Sequence, residues 1–381
     1  MRTPFGPGPH LSTARGPQVA ARVGIALGVA VLVCFVTGLL SHWIQHPPDW
    51  FSWPARPVWL YQFTQGLHVL TGIASIPLLL VKLWAVYPRL FAKPLIGSPV
   101  RALERGSIAL LVGATIFQLT TGLLNTANYY PWKFFFPAAH YAMAYVALGA
   151  LAVHLAVKIP VVRTALSRPL EDQEPEHAEP GVRHDISRRA VLAAAGLSAT
   201  VAVVTVAGQT VPFLRRISVL APRSGRGPQG LPVNRSAAAA GIGSRATDVS
   251  YRLTVAVGAR RRAFTRAELA ALPQTTARLP IACVEGWSAT ADWTGVRLRD
   301  LLAAVGEYRG GEVRFTSLER GGLYSSSTLP QRHAVDADTL VALAVNGETL
   351  DLDHGYPCRL IAPSRPGVLQ TKWLSTIEVR Q

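Results

Sequence analysis

Ile281-Ala282-Cys283-Val284-Glu285-Gly286-Trp287-Ser288, followed by Trp293-Thr294-Gly295-Val296-Arg297-Leu298, is the stretch that decides the fold. Apolar residues lead into Cys283 and a glycine follows soon after, so Cys283 closes a strand predicted over about 275–283 and opens a turn. A cysteine in that place has two readings. Most strand-end cysteines simply pack. A thiolate at the mouth of a turn also makes a soft anionic ligand for a metal. The other two cysteines point elsewhere: Cys34 lies inside an apolar run, and Cys358 alternates with Leu360 as a core residue does, so no disulfide framework is readable.

Outward from this stretch the pattern is mixed. Residues 251–257 alternate and predict a strand, and Thr265-Arg-Ala-Glu268 is a capping box that opens a short helix. A helix follows over about 297–305, with further strands over 312–318, 340–345 and 357–362, Asn346-Gly347 as a turn, and a last strand over 374–380. This order is α+β rather than alternating βαβ. No GxGxxG and no Walker-type loop occurs, which disfavours a nucleotide-dependent dehydrogenase or an ATPase.

Before residue 233 the chain is built differently. Apolar runs over roughly 20–44, 59–86, 107–128, 137–162 and 190–213 are each about the length needed to cross a bilayer. The first is too long and too sparsely flanked to be only a cleaved signal peptide. Basic residues gather on alternate loops: Arg2, Arg15 and Arg22; Arg89, Lys93, Arg101 and Arg105; Arg163, Arg168, Arg183, Arg188 and Arg189. The loops between carry Arg56 and Lys133 only. This asymmetry predicts a cytoplasmic N-terminus and, after five crossings, an extracytoplasmic C-terminal domain in a multi-pass plasma-membrane protein.

The acidic, proline-containing stretch 171–180 reads as a cytoplasmic linker and 221–232 as a second one. Ser187-Arg188-Arg189-Ala190-Val191-Leu192 resembles a twin-arginine export signal, which implies a cofactor inserted before export; two arginines holding a helix end inside explain it equally. The predicted division is a four-helix membrane domain over 1–163, a linker over 164–189, a fifth helix over 190–213, a linker over 214–232 and a catalytic domain over 233–381.

Composition agrees. Of 381 residues, 49% are hydrophobic and 16% charged, where a soluble domain has about 25% charged. That excludes a purely soluble enzyme and a disordered chain. The net charge of +16 would suit a nucleic-acid partner, but the larger share of the surplus lies in residues 1–220, where the apolar runs are. Membrane topology accounts for it, and no nucleic-acid partner is expected.

Ionisable residues inside the runs are functional candidates. His68 lies in the second; His140 and His154 lie in the fourth, on one helix face and about 21 Å apart along its axis. They either hydrogen-bond between helices or ligate haem iron. Lys82 is predicted to snorkel to the inner interface. The arrangement of histidines resembles the b-type cytochrome subunits of formate dehydrogenases and hydrogenases. That resemblance implies His68 and His140 as axial ligands of one haem b. The inner haem of those proteins needs a histidine that residues 22–29 do not supply, so His154 is a possible ligand without an obvious partner, and His68–His154 is the competing pair.

The stretch around Cys283 resembles the molybdopterin-binding domain of the sulfite oxidase family, and its wording is most like the catalytic subunit of the bacterial periplasmic methionine sulfoxide reductase. Leu323-Tyr-Ser-Ser-Ser-Thr-Leu-Pro330 and the closing Asp353-His-Gly-Tyr-Pro-Cys-Arg-Leu-Ile361 through Lys372-Trp373-Leu374 extend the resemblance over about 235–381 in the family's order. It implies Cys283 as molybdenum ligand. Asn234, Arg235, Arg365 and Lys372 become candidates for the pterin phosphate, Lys372 first. Trp287 and His354 become further cofactor contacts, unless His354 only caps its turn. Tyr324, with Arg320 near it, would face substrate. The immunoglobulin-like dimerisation domain usual in sulfite oxidases does not follow Gln381, which favours a monomeric, reductase-like branch.

The expected protein is thus an all-α five-helix transmembrane region followed by an α+β sulfite-oxidase-type molybdopterin-binding domain. Its expected function is oxygen-atom transfer on a small-molecule substrate outside the membrane, with sulfoxide-type reduction favoured, coupled to membrane quinone or quinol. The alternatives are a sulfite-type oxidase and a non-catalytic b-type electron carrier or cofactor-binding membrane protein.

Overall fold

A computed structural model describes residues 14–90, 98–170, 186–221 and 227–380. Arg2, Lys93, Arg183, the acidic linker 171–180 and residues 222–226 of the second linker lie outside the described residues. The chain divides into two compact units, one of Met1–Val36 with His68–Thr205, the other of Thr37–Leu67 with Val206–Gln381.

Five helices dominate the first unit: α1 (Pro17–Gln45), α2 (Leu60–Leu90), α3 (Pro99–Thr126), α4 (Phe136–Ser167) and α5 (Arg188–Ala207). All five are long and apolar enough to cross a membrane, yet only 11% to 22% of the most apolar stretch of each is buried within the protein. Apolar helices that bury so little of themselves need an apolar solvent.

Two boundaries differ from expectation for local reasons. Helix α3 starts at Pro99 rather than near 107, because Ser98 Oγ accepts the Arg101 amide (3.2 Å) and Pro99 sits where a missing N–H costs nothing. Helix α5 ends at Ala207 rather than near 213. The Gly208 amide turns to Ser218 Oγ (2.7 Å), the Val211 amide closes on the Ala207 carbonyl (2.7 Å), and Pro212 cannot continue the ladder.

Val19, Ala20 and Val23 of α1 pack with Ala85 of α2 and against Val191 and Leu192 of α5. Lys82 Nζ donates to the Ala20 carbonyl in the first turn of α1 at 2.5 Å. Gly24 makes the room, since a Cβ there would lie 2.6 Å from that Nζ. Arg188 Nη1 donates to the Leu170 carbonyl (3.0 Å), and Ser187 Oγ caps the Ala190 amide (3.1 Å).

The second unit holds two five-stranded sheets. One runs β2 (Arg260–Phe264), β1 (Leu253–Val257), β10 (Leu374–Arg380), β5 (Glu312–Ser317), β6 (Ser326–Leu329), with β1 and β10 parallel and the other neighbours antiparallel. The other runs β3 (Gln274–Ala282), β4 (Ser288–Arg297), β7 (Leu340–Val345), β8 (Glu348–Thr349), with β9 (Arg359–Ile361) also on β7. Short helices α6 (Arg266–Ala271), α7 (Leu298–Ala303) and α8 (Gln331–Ala334) connect them. The capping box at Thr265 and Glu268 is formed in both directions. Asn346 and Gly347, both at positive φ, make the turn into β8.

A core of Leu253, Phe264, Leu301, Phe315, Leu360 and Ile377 fills one side, and Trp293 centres a second cluster that includes Cys283. Leu231, 3% exposed, belongs to that second cluster. Gln229 bonds the Thr349 carbonyl and the Asp351 amide, so the described end of the supposed second linker is packed into the domain.

Candidate active site

Strands β3 and β4 pair in register to Ala282 opposite Ser288, which makes Cys283–Trp287 the hairpin connection. The Cys283 amide donates to the Trp287 carbonyl (2.9 Å) and the Gly286 amide to the Cys283 carbonyl (3.0 Å). Gly286 takes the positive φ this closure requires. Cys283 is 1% exposed and in no disulfide. A parallel bridge from Ala282 to Pro366 lays the loop between β9 and β10 beside it.

That loop and β9 carry the site's charge. Arg359 is buried, with Nη1 on the His354 carbonyl (3.1 Å) and Nη2 on the Gln370 carbonyl (3.2 Å). Arg365 is buried too, with Nη2 on the Thr328 carbonyl (2.8 Å), while its Nε finds no partner. Gln370 joins the two, since its Nε2 donates to the Arg365 carbonyl (3.1 Å). Burial lowers the pKa of both guanidinium groups. Among the described residues no carboxylate pairs with either. The hydrogen bonds of both go to carbonyl oxygens, with Arg359 also 5.1 Å over the Trp293 ring, and a nearby anion would lower the cost of burying them. They fit a phosphorylated, anionic pterin beside Cys283.

The other sequence candidates sort as follows. Lys372 Nζ donates to Asn234 Oδ1 (3.3 Å), the Arg235 carbonyl (2.7 Å) and the Asp353 carbonyl (2.8 Å). These three bonds fasten segment 234–235 to the 353 turn. Arg235 pairs with Glu319 at 2.6 Å. His354 is buried, with Nε2 donating to the Pro228 carbonyl (2.8 Å), and burial lowers its pKa, so the ring is held neutral. Trp287 lies in the core with its indole N–H on Glu285 (3.1 Å). Tyr324 is half-buried; burial first and Cys283 second raise its pKa, which keeps a phenol O–H near the sulfur at neutral pH. Arg320 is exposed. Cys358 is core, with burial pushing its thiol up to about 12.

Gly355 explains the compactness of the 353–359 turn. It sits at φ 107°, and a Cβ there would lie 3.1 Å from both Arg359 Cβ and Lys372 Cβ.

In the helical unit the rings of His68 and His140 lie 6.2 Å apart, centroid to centroid. His68 Nδ1 donates to the Cys34 carbonyl (2.9 Å). Thr121 Oγ1 donates to the Phe117 carbonyl (2.8 Å), so at 2.9 Å it accepts from His140 Nδ1. Both rings therefore carry the Nδ1–H tautomer, whose Nε2 lone pair is the one iron takes. His154 stands apart from this pair, within electrostatic range of Lys82, Lys158 and Glu104. Lys158 and Glu104 form an ion pair.

Residues 241–381 match the protein family described as oxidoreductase molybdopterin binding domain. Residues 241–381 are thus a molybdopterin-binding oxidoreductase domain similar to that of sulfite oxidases. Sulfite oxidase of Arabidopsis thaliana is 38% identical over 112 residues, covering 25% of this chain and 28% of that protein. A protein described as putative protein-methionine-sulfoxide reductase subunit YedZ1, from Azospira oryzae, is 30% identical over 131 residues, covering 34% of this chain and 49% of that protein. The chain thus spans less than half the length of each of these curated relatives. Sulfane dehydrogenase SoxCD from Paracoccus pantotrophus overlaps 34% of this chain and 38% of its own at 25% identity, with a TM-score of 0.31.

Sequence reasoning missed Arg359 and Gln370 in the molybdopterin-binding domain. The signal for Arg359 was present: an arginine inside the apolar strand Cys358-Arg-Leu-Ile-Ala362 has to meet something anionic or strongly accepting. Nothing in the sequence marked Gln370.

Proposed function

We propose that the chain is a membrane-anchored molybdenum oxidoreductase that removes oxygen from a small sulfoxide-type substrate outside the membrane, drawing electrons from quinol. The observation that carries this reading is the pair of buried guanidinium groups, Arg359 and Arg365, with no ion-paired carboxylate among the described residues, around the turn that presents Cys283.

When bound, molybdopterin supplies a metal capable of two-electron oxygen-atom transfer. Cys283 provides the soft anionic donor to that metal. Arg359 and Arg365 offset the charge of the pterin and its phosphate. Tyr324, with its pKa raised by burial, would keep its phenol proton and could supply it to the leaving oxygen. The balanced change is a sulfoxide plus two protons and two electrons giving a thioether and water. In the helical part, the Nε2 atoms of His68 and His140 would hold one haem b, which would supply one-electron transfer chemistry. The basic residues on alternate loops support a cytoplasmic N-terminus with the site on the other side.

Oxidation of sulfite is the second reading, supported by the kinship to sulfite oxidases. The test is turnover by the purified full-length protein with a reduced viologen and methionine sulfoxide, and separately with sulfite and ferricyanide. Sulfoxide reduction that is lost in Cys283→Ser supports the first reading. Sulfite oxidation alone replaces it with the second, and no redox turnover in either direction removes both.

A further inference from the structure

Tyr61 is 1% exposed and packs with Ile44 and Ala282, the residue before Cys283. Its hydroxyl is within electrostatic reach of Cys283 and Tyr324. Gln65 Nε2 donates to the Val284 carbonyl (3.2 Å), which fixes its amide orientation and turns Oε1 toward Tyr61. Tyr61 therefore donates to Gln65 Oε1 (3.5 Å) and accepts from Ser41 Oγ (3.0 Å). A directed chain results, from Ser41 through Tyr61 and Gln65 to the main chain just after Cys283. Gln62, on the same helical turn, donates from Nε2 to Ser288 Oγ (3.0 Å) at the other end of the hairpin connection.

The same segment is pinned at two further points. Trp53 Nε1 bonds the carbonyl and Oγ of Ser364, beside Arg365, at 2.9 Å each. Arg56 forks onto Asp336 (2.9 Å) and Asp338 (2.6 Å). Both the Cys283 turn and the arginine loop thus lean on Thr37–Leu67, which belongs to the same compact unit.

We propose that Tyr61 is a positioning residue of the molybdenum site, holding the Cys283–Ser288 turn through Gln65, and that Thr37–Leu67 is a built-in wall of that site. The sequence 233–381 alone is then an incomplete pocket. This rests on the reading of Cys283 as the metal ligand, but its test does not depend wholly on that reading.

In cofactor-free full-length protein, the rate at which iodoacetamide alkylates Cys283 is followed by peptide mass spectrometry, with buried Cys358 as the internal measure of unfolding. Tyr61→Phe and Gln65→Met are each expected to speed Cys283 alkylation about tenfold while Cys358 stays protected. In cofactor-loaded protein, the same variants are expected to shift the Mo(V) electron paramagnetic resonance signal. If both variants alkylate Cys283 at the wild-type rate and keep the wild-type Mo(V) signal, the proposal is overturned. If Tyr61→Phe exposes Cys358 as well, Gln65→Met decides alone. A wild-type protein with no Mo(V) signal refutes the ligand reading, and the alkylation rates still judge Tyr61.

Discussion

The amide of Cys283 donates to the carbonyl of Trp287 at 2.9 Å, so the residue that closes β3 is locked into a turn five residues long. The lock leaves the sulfur's position to its surroundings: Ala282 is bridged to Pro366, and Tyr324 lies within electrostatic range. Activity follows from how rigidly those surroundings hold.

Gly355→Ala is expected to destabilise the full-length protein by about 1–3 kcal/mol, because it puts a side chain at φ 107° against Arg359 and Lys372. Denaturant midpoints measured in detergent check this, and the variant should also retain less cofactor. An unchanged midpoint would mean the turn is looser than the contacts require.

Arg359→Met separates stability from cofactor binding. Losing its bonds to the His354 and Gln370 carbonyls is offset by no longer burying a cation, so cofactor-free stability should change by less than about 2 kcal/mol. Molybdenum content per chain should nevertheless fall about tenfold or more. Metal analysis beside a melting curve reads both.

His333 sets part of the acid limit. Its ring is fully buried with neither nitrogen paired, and burial holds its pKa down at about 3. Unfolded histidine takes a proton below about 6.5, which the folded ring refuses, so stability falls as pH drops from about 6.5 toward 3. The slope is at most about 1.4 kcal/mol per pH unit for one proton. His333→Leu should flatten that limb while leaving stability above pH 7 near the wild-type value; pH-resolved denaturation curves test it.

The proposed haem makes a prediction that separates the histidines. His68→Ala and His140→Ala should each abolish the Soret band of the haem-supplied protein, whereas His154→Ala should keep it. A band lost only in the His154 variant would reverse the assignment.

Legibility followed the physics of pattern. The helices and the strands at β1, β3, β5, β7 and β10 announce themselves because burial on one face or both writes a period into the sequence. Strand β2 does not, since Arg260-Arg-Arg-Ala263 is exposed and only Phe264 is buried. Strand β4 hides among Ser, Ala and Thr, and β6 is four residues long. At the site, Cys283 and Tyr324 were readable from motifs. The partners of Lys372 were not, because they are three main-chain and side-chain oxygens that only folding assembles. Tyr61 was equally hidden, an unremarkable residue at the head of an apolar helix.

Molybdenum and pterin analysis of the purified full-length chain, produced with molybdate and haem precursors supplied, tests the central claim most directly. The account predicts about one molybdenum and one pterin per chain, with sulfoxide turnover in that preparation and none in Cys283→Ser. Folded protein that carries neither molybdenum nor pterin would contradict it.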